Sequence, residues 1–188
     1  SQFHVASASV VGRHHLETGV NNQDAVWWGH TDDILVALVC DGCSGSNLPF
    51  VPDSEIGAKL QAQVLGFQLL QGLEQGHGFL QALEAARTQW LHAVQTLADA
   101  LQVPVSALVP RMMLATILGV VMTRETTTLF RKGDGLYQVN DEKPVLVDEE
   151  DKPDYLAYSF TAVGRRDHDP NFIVEGEWPS ESLDRLLL

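Results

Sequence analysis

The chain has 188 residues, 45% hydrophobic and 20% charged, which suits a globular protein large enough to bury a core. Its formal net charge of -13 argues against nucleic acid, whose phosphates are neutralised by Lys and Arg, and against anionic membrane surfaces. No apolar stretch is long enough to cross a bilayer, and Ser1-Gln2-Phe3-His4 lacks the basic-then-apolar start of a secretory signal, so a cytoplasmic location is expected.

Phe3 to Val10 alternates loosely, as a strand with one wet face does. Gly12 to Asn22 carries polar and glycine punctuation and reads as a loop. Ala25 to His30 resumes as a strand, and Thr31-Asp32-Asp33 turns it into the continuous apolar run Ile34 to Val39. Such a run marks a strand buried on both faces, here an antiparallel neighbour of the one before. The run ends in Asp41-Gly42-Cys43-Ser44-Gly45-Ser46, so a carboxylate stands at the strand's exit ahead of small, flexible residues. Gly42 removes the adjacent side chain and lets a backbone carbonyl approach a ligand. A carboxylate oxygen beside an accessible carbonyl is the donor set a hard divalent cation takes.

Cys40 and Cys43 bracket that site as a Cys-x-x-Cys. A redox pair draws its reactivity from a helix starting directly after the first cysteine, whereas glycines and serines follow here. A structural zinc site needs four ligands, and no second cysteine pair supplies them. Two small residues lining a tight turn is the expected reading.

Beyond Pro49-Phe50-Val51-Pro52, Asp53 or Ser54 is placed to cap a helix whose apolar stripe is Ile56, Leu60, Val64, Phe67 and Leu70. Gly76-His77-Gly78 breaks it. A second helix follows with Phe79, Leu83, Trp90, Val94, Leu97 and Leu101 on one side, giving an antiparallel pair packed against the strands. Leu101 to Pro110 is a connector. Strands are expected at Leu114 to Met122, Thr126 to Arg131, Gly135 to Val139, Leu156 to Phe160 and Phe172 to Glu175, with an acidic loop from Asp141 to Asp154. Strands, a helix pair, then strands again imply α+β layers rather than alternating units.

Four short motifs run in order: Asn22-Gln23-Asp24-Ala25, Asp41-Gly42-Cys43-Ser44-Gly45, Ala115-Thr116-Ile117-Leu118-Gly119 and Gly133-Asp134-Gly135. Their order and placement resemble the metal-dependent serine/threonine protein phosphatases of type 2C. The compact bacterial branch is the nearest match, with its Gly-x-x-His entry at Gly12 to His15. The resemblance covers Val5 to Leu188. It implies two antiparallel β-sheets packed as a sandwich flanked by helix pairs, a four-layer αββα arrangement. It also implies two Mg²⁺ or Mn²⁺ ions, with a more weakly held third, and a phosphorylated protein as substrate. Asp41 then matches the carboxylate bridging both metals, Gly42 the residue whose carbonyl ligates one, and Asp24 an acid orienting water at the metal. Asp134 matches the acid associated with the third metal, and Thr116 a supporting strand position.

Departures from the family pattern are expected to matter. Gln23 stands where the family commonly has a ligating Glu, so it offers an amide oxygen without charge. Glu17 and Gly19 occupy the stretch that usually carries a phosphate-gripping Arg, leaving Arg13, His14 or His15 as substitutes, His15 foremost. The family's further Asp-Gly and Asp-Asn motifs are missing; the ending Ser182 to Leu188 resembles the strand that would lead into them. Residues 1–188 are therefore expected to be a single phosphatase-like domain without its C-terminal part. Two functions follow from the resemblance: a phosphatase using a metal-activated water, or a catalytically inactive relative serving as a regulatory or binding module.

Overall fold

The computed structural model describes residues 4–18, 21–43, 53–148, 153–160 and 168–188, and for positions 14, 15 and 18 the backbone alone. In chain order the elements are α1 (Arg13–Thr18), β1 (Ala25–His30), β2 (Leu35–Cys40), α2 (Ser54–Glu74), α3 (Phe79–Leu101) and α4 (Val105–Leu108). Then follow β3 (Ile117–Met122), β4 (Thr126–Lys132), β5 (Gly135–Val139), β6 (Val145–Val147), β7 (Ile173–Pro179) and β8 (Leu186–Leu187). A five-stranded antiparallel sheet has the order β1-β2-β3-β4-β7, and a three-stranded one the order β6-β5-β8.

Side chains alternate across a strand, and β3 shows how this builds layers. Ile117 and Val121 point to one face of the large sheet, where they join Val36, Leu38, Cys40 and Phe130 under the helix pair. Leu118 and Val120 point to the other face and pack with Leu129, Tyr137, Val139, Trp178 and Leu186 against the small sheet. Both faces of β3 are buried, which is why its sequence is an uninterrupted apolar run. The fold is thus α+β, two antiparallel sheets packed face to face with an antiparallel helix pair on the larger. Among the described residues the two long helices, α2 and α3, form the α-layer on the five-stranded sheet. Of the four αββα layers, three are therefore assembled by these residues.

The face that α2 buries is not the large-residue stripe. Ile56 is 41% exposed and Phe67 55%, while the buried positions are Ser54, Gly57, Ala58, Gln61, Ala62, Leu65, Gly66, Leu69 and Gly72. The helix backbone lies almost on its neighbours. A Cβ at Gly57 would stand 2.0 Å from the Met112 carbonyl oxygen, and one at Gly66 would stand 2.1 Å from the Trp27 ring. Close approach demands small residues, and bulky ones are displaced to the flanks. In α3 the expected Leu83, Trp90 and Val94 are buried, with Ala82, Ala86 and Ala98 between them, whereas Leu101 is half exposed.

Several expected elements differ. Residues 4–10 form no strand; they are mostly exposed, with no buried face to fix a register. Within the expected loop, Arg13–Thr18 makes one helical segment, tied by an Arg13–Glu17 ion pair of 2.9 Å. The connector folds into α4 and a π-helical turn at Val109–Met113. The acidic loop contains β6, an edge strand beside β5. Leu156–Ser159 is a 3₁₀ turn rather than a strand, because Leu156 and Ala157 plug the helix-side core instead of pairing. Leu186–Leu187 does pair as a strand, with β5. Phe3, the serine-glycine stretch 44–46 and the proline-bracketed 49–52 lie outside the described residues.

Candidate active site

Antiparallel register brings the motifs together. Ala25 pairs with Cys40, so the next residues outward, Asp24 and Asp41, face each other just beyond the β1–β2 ladder. Val39 pairs with Leu118, which continues to Asp41 opposite Thr116; the Thr116 N–H donates to the Asp41 carbonyl at 2.8 Å. Ile117 pairs with Lys132, and one step further Gly133 comes against Thr116, whose methyl would be 2.8 Å from a Cβ placed on that glycine. Gly133 has φ +87°, the left-handed conformation in which glycine costs least, and this turns the chain into Asp134. Asp24, Asp41, Thr116 and Gly133–Asp134 thus form one row across the same end of the large sheet.

The electrostatics of that row are unfavourable by construction. Asp41 is exposed to water yet ringed by enough protein that its carboxyl is pushed up to about 7. Crowding by protein is the largest cause, followed by the hydrogen bond shared with Asp24, the charge of Asp24 and the charge of Asp134. Like charges directly opposite on neighbouring strands repel. A cation between Asp24 and Asp41 would remove the repulsion, and an all-oxygen donor set suits Mg²⁺ or Mn²⁺. Asp24 is further held at the strand's start, its N–H donating to Asn22 Oδ1 at 3.2 Å.

Gly42 adds the carbonyl. It bridges Ala115, with Thr116 N–H to Asp41 O at 2.8 Å on one side and Cys43 N–H to Leu114 O at 2.9 Å on the other. In that pattern Gly42 is the non-hydrogen-bonded position, so its own N–H and C=O point away from β3. The need for glycine is also steric: a Cβ there would stand 2.6 Å from the Gln23 carbonyl oxygen and 2.7 Å from Ser54 Oγ. Gln23 is buried, 3% exposed, on the inner side of this contact.

The Asp24 and Asp41 carboxyls stand close enough to share a hydrogen bond. Among the described residues, no group of three or more His, Cys, Asp or Glu is gathered closely enough to hold a metal ion without further ligands. His15 lies in α1, and its side chain is outside the described part of the structure. Arg13, another candidate for gripping phosphate, is 92% exposed and paired with Glu17. Cys40 and Cys43 are both free thiols, and burial pushes the Cys40 thiol up to about 12.

Two features escaped the sequence. Gln61, on α2 and 0% exposed, donates through Nε2 to the carbonyls of Ala115 and Thr116, each at 3.2 Å. Only the buried polar position on an apolar helix face could have signalled it. The second is a buried ion-pair cluster beside the row. Lys132 Nζ donates to Asp154 Oδ2 at 2.7 Å, to Asn171 O at 3.2 Å and to Asp169 O. Asp154 Oδ1 meets His168 Nδ1 at 2.6 Å, and His168 Nε2 meets Ser159 Oγ at 3.1 Å. The Ser159–His168–Asp154 chain has the order of a nucleophilic triad, but the Lys132 ammonium already matches the Asp154 charge. The cluster reads as a brace between β4 and the segments 153–160 and 168–172.

A family model described as protein phosphatase 2C matches residues 11–188. Among solved structures, the chain is similar to a serine/threonine phosphatase from Staphylococcus aureus at 13% identity and TM-score 0.45, covering 74% of this chain and 50% of that one. It is also similar to the serine/threonine phosphatase of Mycobacterium tuberculosis at 14% identity and TM-score 0.42, covering 93% of this chain and 71% of that one. The chain therefore spans half the length of the first of these structures. No curated protein matches it. With the family model matching nearly end to end, this chain belongs to the protein phosphatase 2C family.

Proposed function

We propose that this chain carries the catalytic end of a metal-dependent phosphatase acting on phosphoserine or phosphothreonine in proteins. The observation that supports it most is the cross-strand pair Asp24–Asp41, two carboxyls sharing one hydrogen bond at the open end of a rigid sheet. In this reading the carboxylates of Asp24 and Asp41 and the outward carbonyl of Gly42 hold a divalent cation. Asp134 serves a neighbouring, weaker ion, and Gln23 lends its amide oxygen to that end of the site. When bound, Mg²⁺ or Mn²⁺ supplies neutralisation of the phosphomonoester's charge and an activated water at neutral pH.

The protein's own part is placement. β1 and β2 fix the spacing of Asp24 and Asp41 through their ladder, and Thr116 fixes the direction of the Asp41 peptide. Asp24, held across from Asp41 at the start of β1, is placed to orient the attacking water. His15 is the residue proposed to meet the phosphate.

Phosphate release from a phosphothreonine peptide with Mn²⁺, paired with calorimetric titration of Mn²⁺, tests the reading. The expected result is saturable Mn²⁺ binding and turnover that fall by roughly a thousandfold or more in Asp41→Asn, as for loss of a ligand to a catalytic metal. Equal turnover by both proteins would overturn the reading, as would the absence of Mn²⁺ binding.

A further inference from the structure

Residues 41–43 sit past the end of regular pairing, where the five-stranded sheet gives way to the single Gly42–Ala115 bridge. Among the described residues, their backbone-to-backbone hydrogen bonds run to residues 114–116, as the Asp41–Thr116 and Cys43–Leu114 bonds. Residues 114–116 are irregular too, following a π-helical turn. Something must hold this crossing of two irregular segments, and α2 reaches it twice from one face. Ser54 Oγ donates to the Cys43 carbonyl at 2.9 Å. Two turns later, Gln61 Nε2 spans the Ala115 and Thr116 carbonyls and lies 3.8 Å from Cys40 Sγ. Positions seven apart share a helix face, and Gly57 between them lets the α2 backbone press against Met112.

Both side chains are buried, Ser54 at 1% and Gln61 at 0% exposure. Among the described residues, Gln61 Oε1 has no hydrogen-bond partner. A buried amide with an unsatisfied oxygen is a stability cost that a Leu or Met of similar size would not carry. Stability alone would not select Gln61; its donor fork across two successive carbonyls does something packing cannot. We infer that Gln61, assisted by Ser54, is a positioning residue, which fixes the Asp41 carboxylate and Gly42 carbonyl at cation-binding geometry by clamping the 41–43/114–116 crossing to α2.

This rests on the metal site proposed above, and the test separates the two. Gln61→Met keeps the volume and removes both the fork and the unsatisfied oxygen. Amide hydrogen exchange in metal-free protein reads the clamp directly. The Thr116 and Cys43 amides are expected to exchange about tenfold faster, while Phe130 in β4 holds its rate. In Mn²⁺ titration the affinity is expected to weaken by about 10- to 100-fold, the range for lost outer-shell support of a metal ligand. Exchange that quickens equally throughout makes Gln61 an ordinary core residue and overturns the inference, and so does Mn²⁺ affinity equal to wild type. If wild type itself binds no Mn²⁺, the metal site fails, and the exchange arm alone decides whether the clamp exists. Should Gln61→Met not fold, Ser54→Ala is read in the same way: unchanged exchange at Cys43 and Thr116 overturns the clamp, and faster exchange confined to them upholds it.

Discussion

Two clusters of ionisable groups lie a few residues apart at one end of this fold, and they are built on opposite rules. At Asp24, Asp41 and Asp134 the charges have one sign, the end is open, and Asp41 is pushed up to about 7. At Lys132, Asp154 and His168 the Lys132 ammonium meets the Asp154 carboxylate at 2.7 Å, and His168 Nδ1 hydrogen-bonds that carboxylate at 2.6 Å, in a site where Lys132 is 3% exposed. There burial alone would raise the Asp154 carboxyl, but hydrogen bonds from Lys132, His168 and the Asp169 amide hold it below its ordinary value. A cluster that satisfies itself serves the fold. A cluster that repels itself holds a cost that a proton or a bound cation relieves. The difference separates scaffold from site more sharply than residue type does, since aspartates anchor both.

Breaking the compensated cluster should have the largest effect. Lys132→Met leaves Asp154 without its main counter-charge and is expected to cost about 3–5 kcal/mol, read as a drop in urea midpoint at unchanged slope. A loss under about 1 kcal/mol, the range for exposed pairs, would show that the cluster is no brace. The next effect is ligand linkage at the other cluster. Mn²⁺ at about 100 times its Kd should stabilise the wild-type chain by about 2.7 kcal/mol, raising Tm, and should leave Asp41→Asn unmoved.

The pH dependences then run in opposite directions. The folded Asp41 value of about 7 lies above the unfolded value of about 3.9, so its contribution is full below pH about 4 and is lost as pH rises through about 7. Without metal, Asp41→Asn should therefore be more stable than wild type at pH 8, by about 1 kcal/mol after allowance for solvent screening, and equal near pH 4. Asp154 is depressed, so its contribution is present above about pH 3.9 and fades as pH falls through the lowered folded value. The acid limb of the denaturation profile should be shallower in Lys132→Met, while the limb between pH 5 and 8 should be flattened only by Asp41→Asn. If both variants moved the same limb, the two clusters would not be the distinct devices described.

Much of this was legible before any coordinates. β1, β2, β3, β4 and β5 announce themselves by alternation or by continuous apolar runs, and the helix pair by its period. Asp24, Asp41 and Asp134 stand out as acids at the ends of strands. Residues 156–159 were not legible as a turn, because Leu156 and Ala157 are as apolar as strand residues and only the space under the helices decides their use. The buried face of α2 was misplaced for a related reason. Hydrophobic patterning weighs Ile56 and Phe67 above Gly57 and Gly66, while contact at backbone distance rewards the absence of a side chain.

What the amino-acid order determined by itself was local: periodicity chooses helix or strand, and a carboxylate after an apolar run is set at a strand's exit. Which acid meets which was decided by register, a tertiary quantity. It placed Asp24 across from Asp41, carried Asp134 to the same end, and handed Lys132, only two residues away, to Asp154 and His168. Coulomb interactions depend on distance in space, and a linear sequence contains charges but no distances between them.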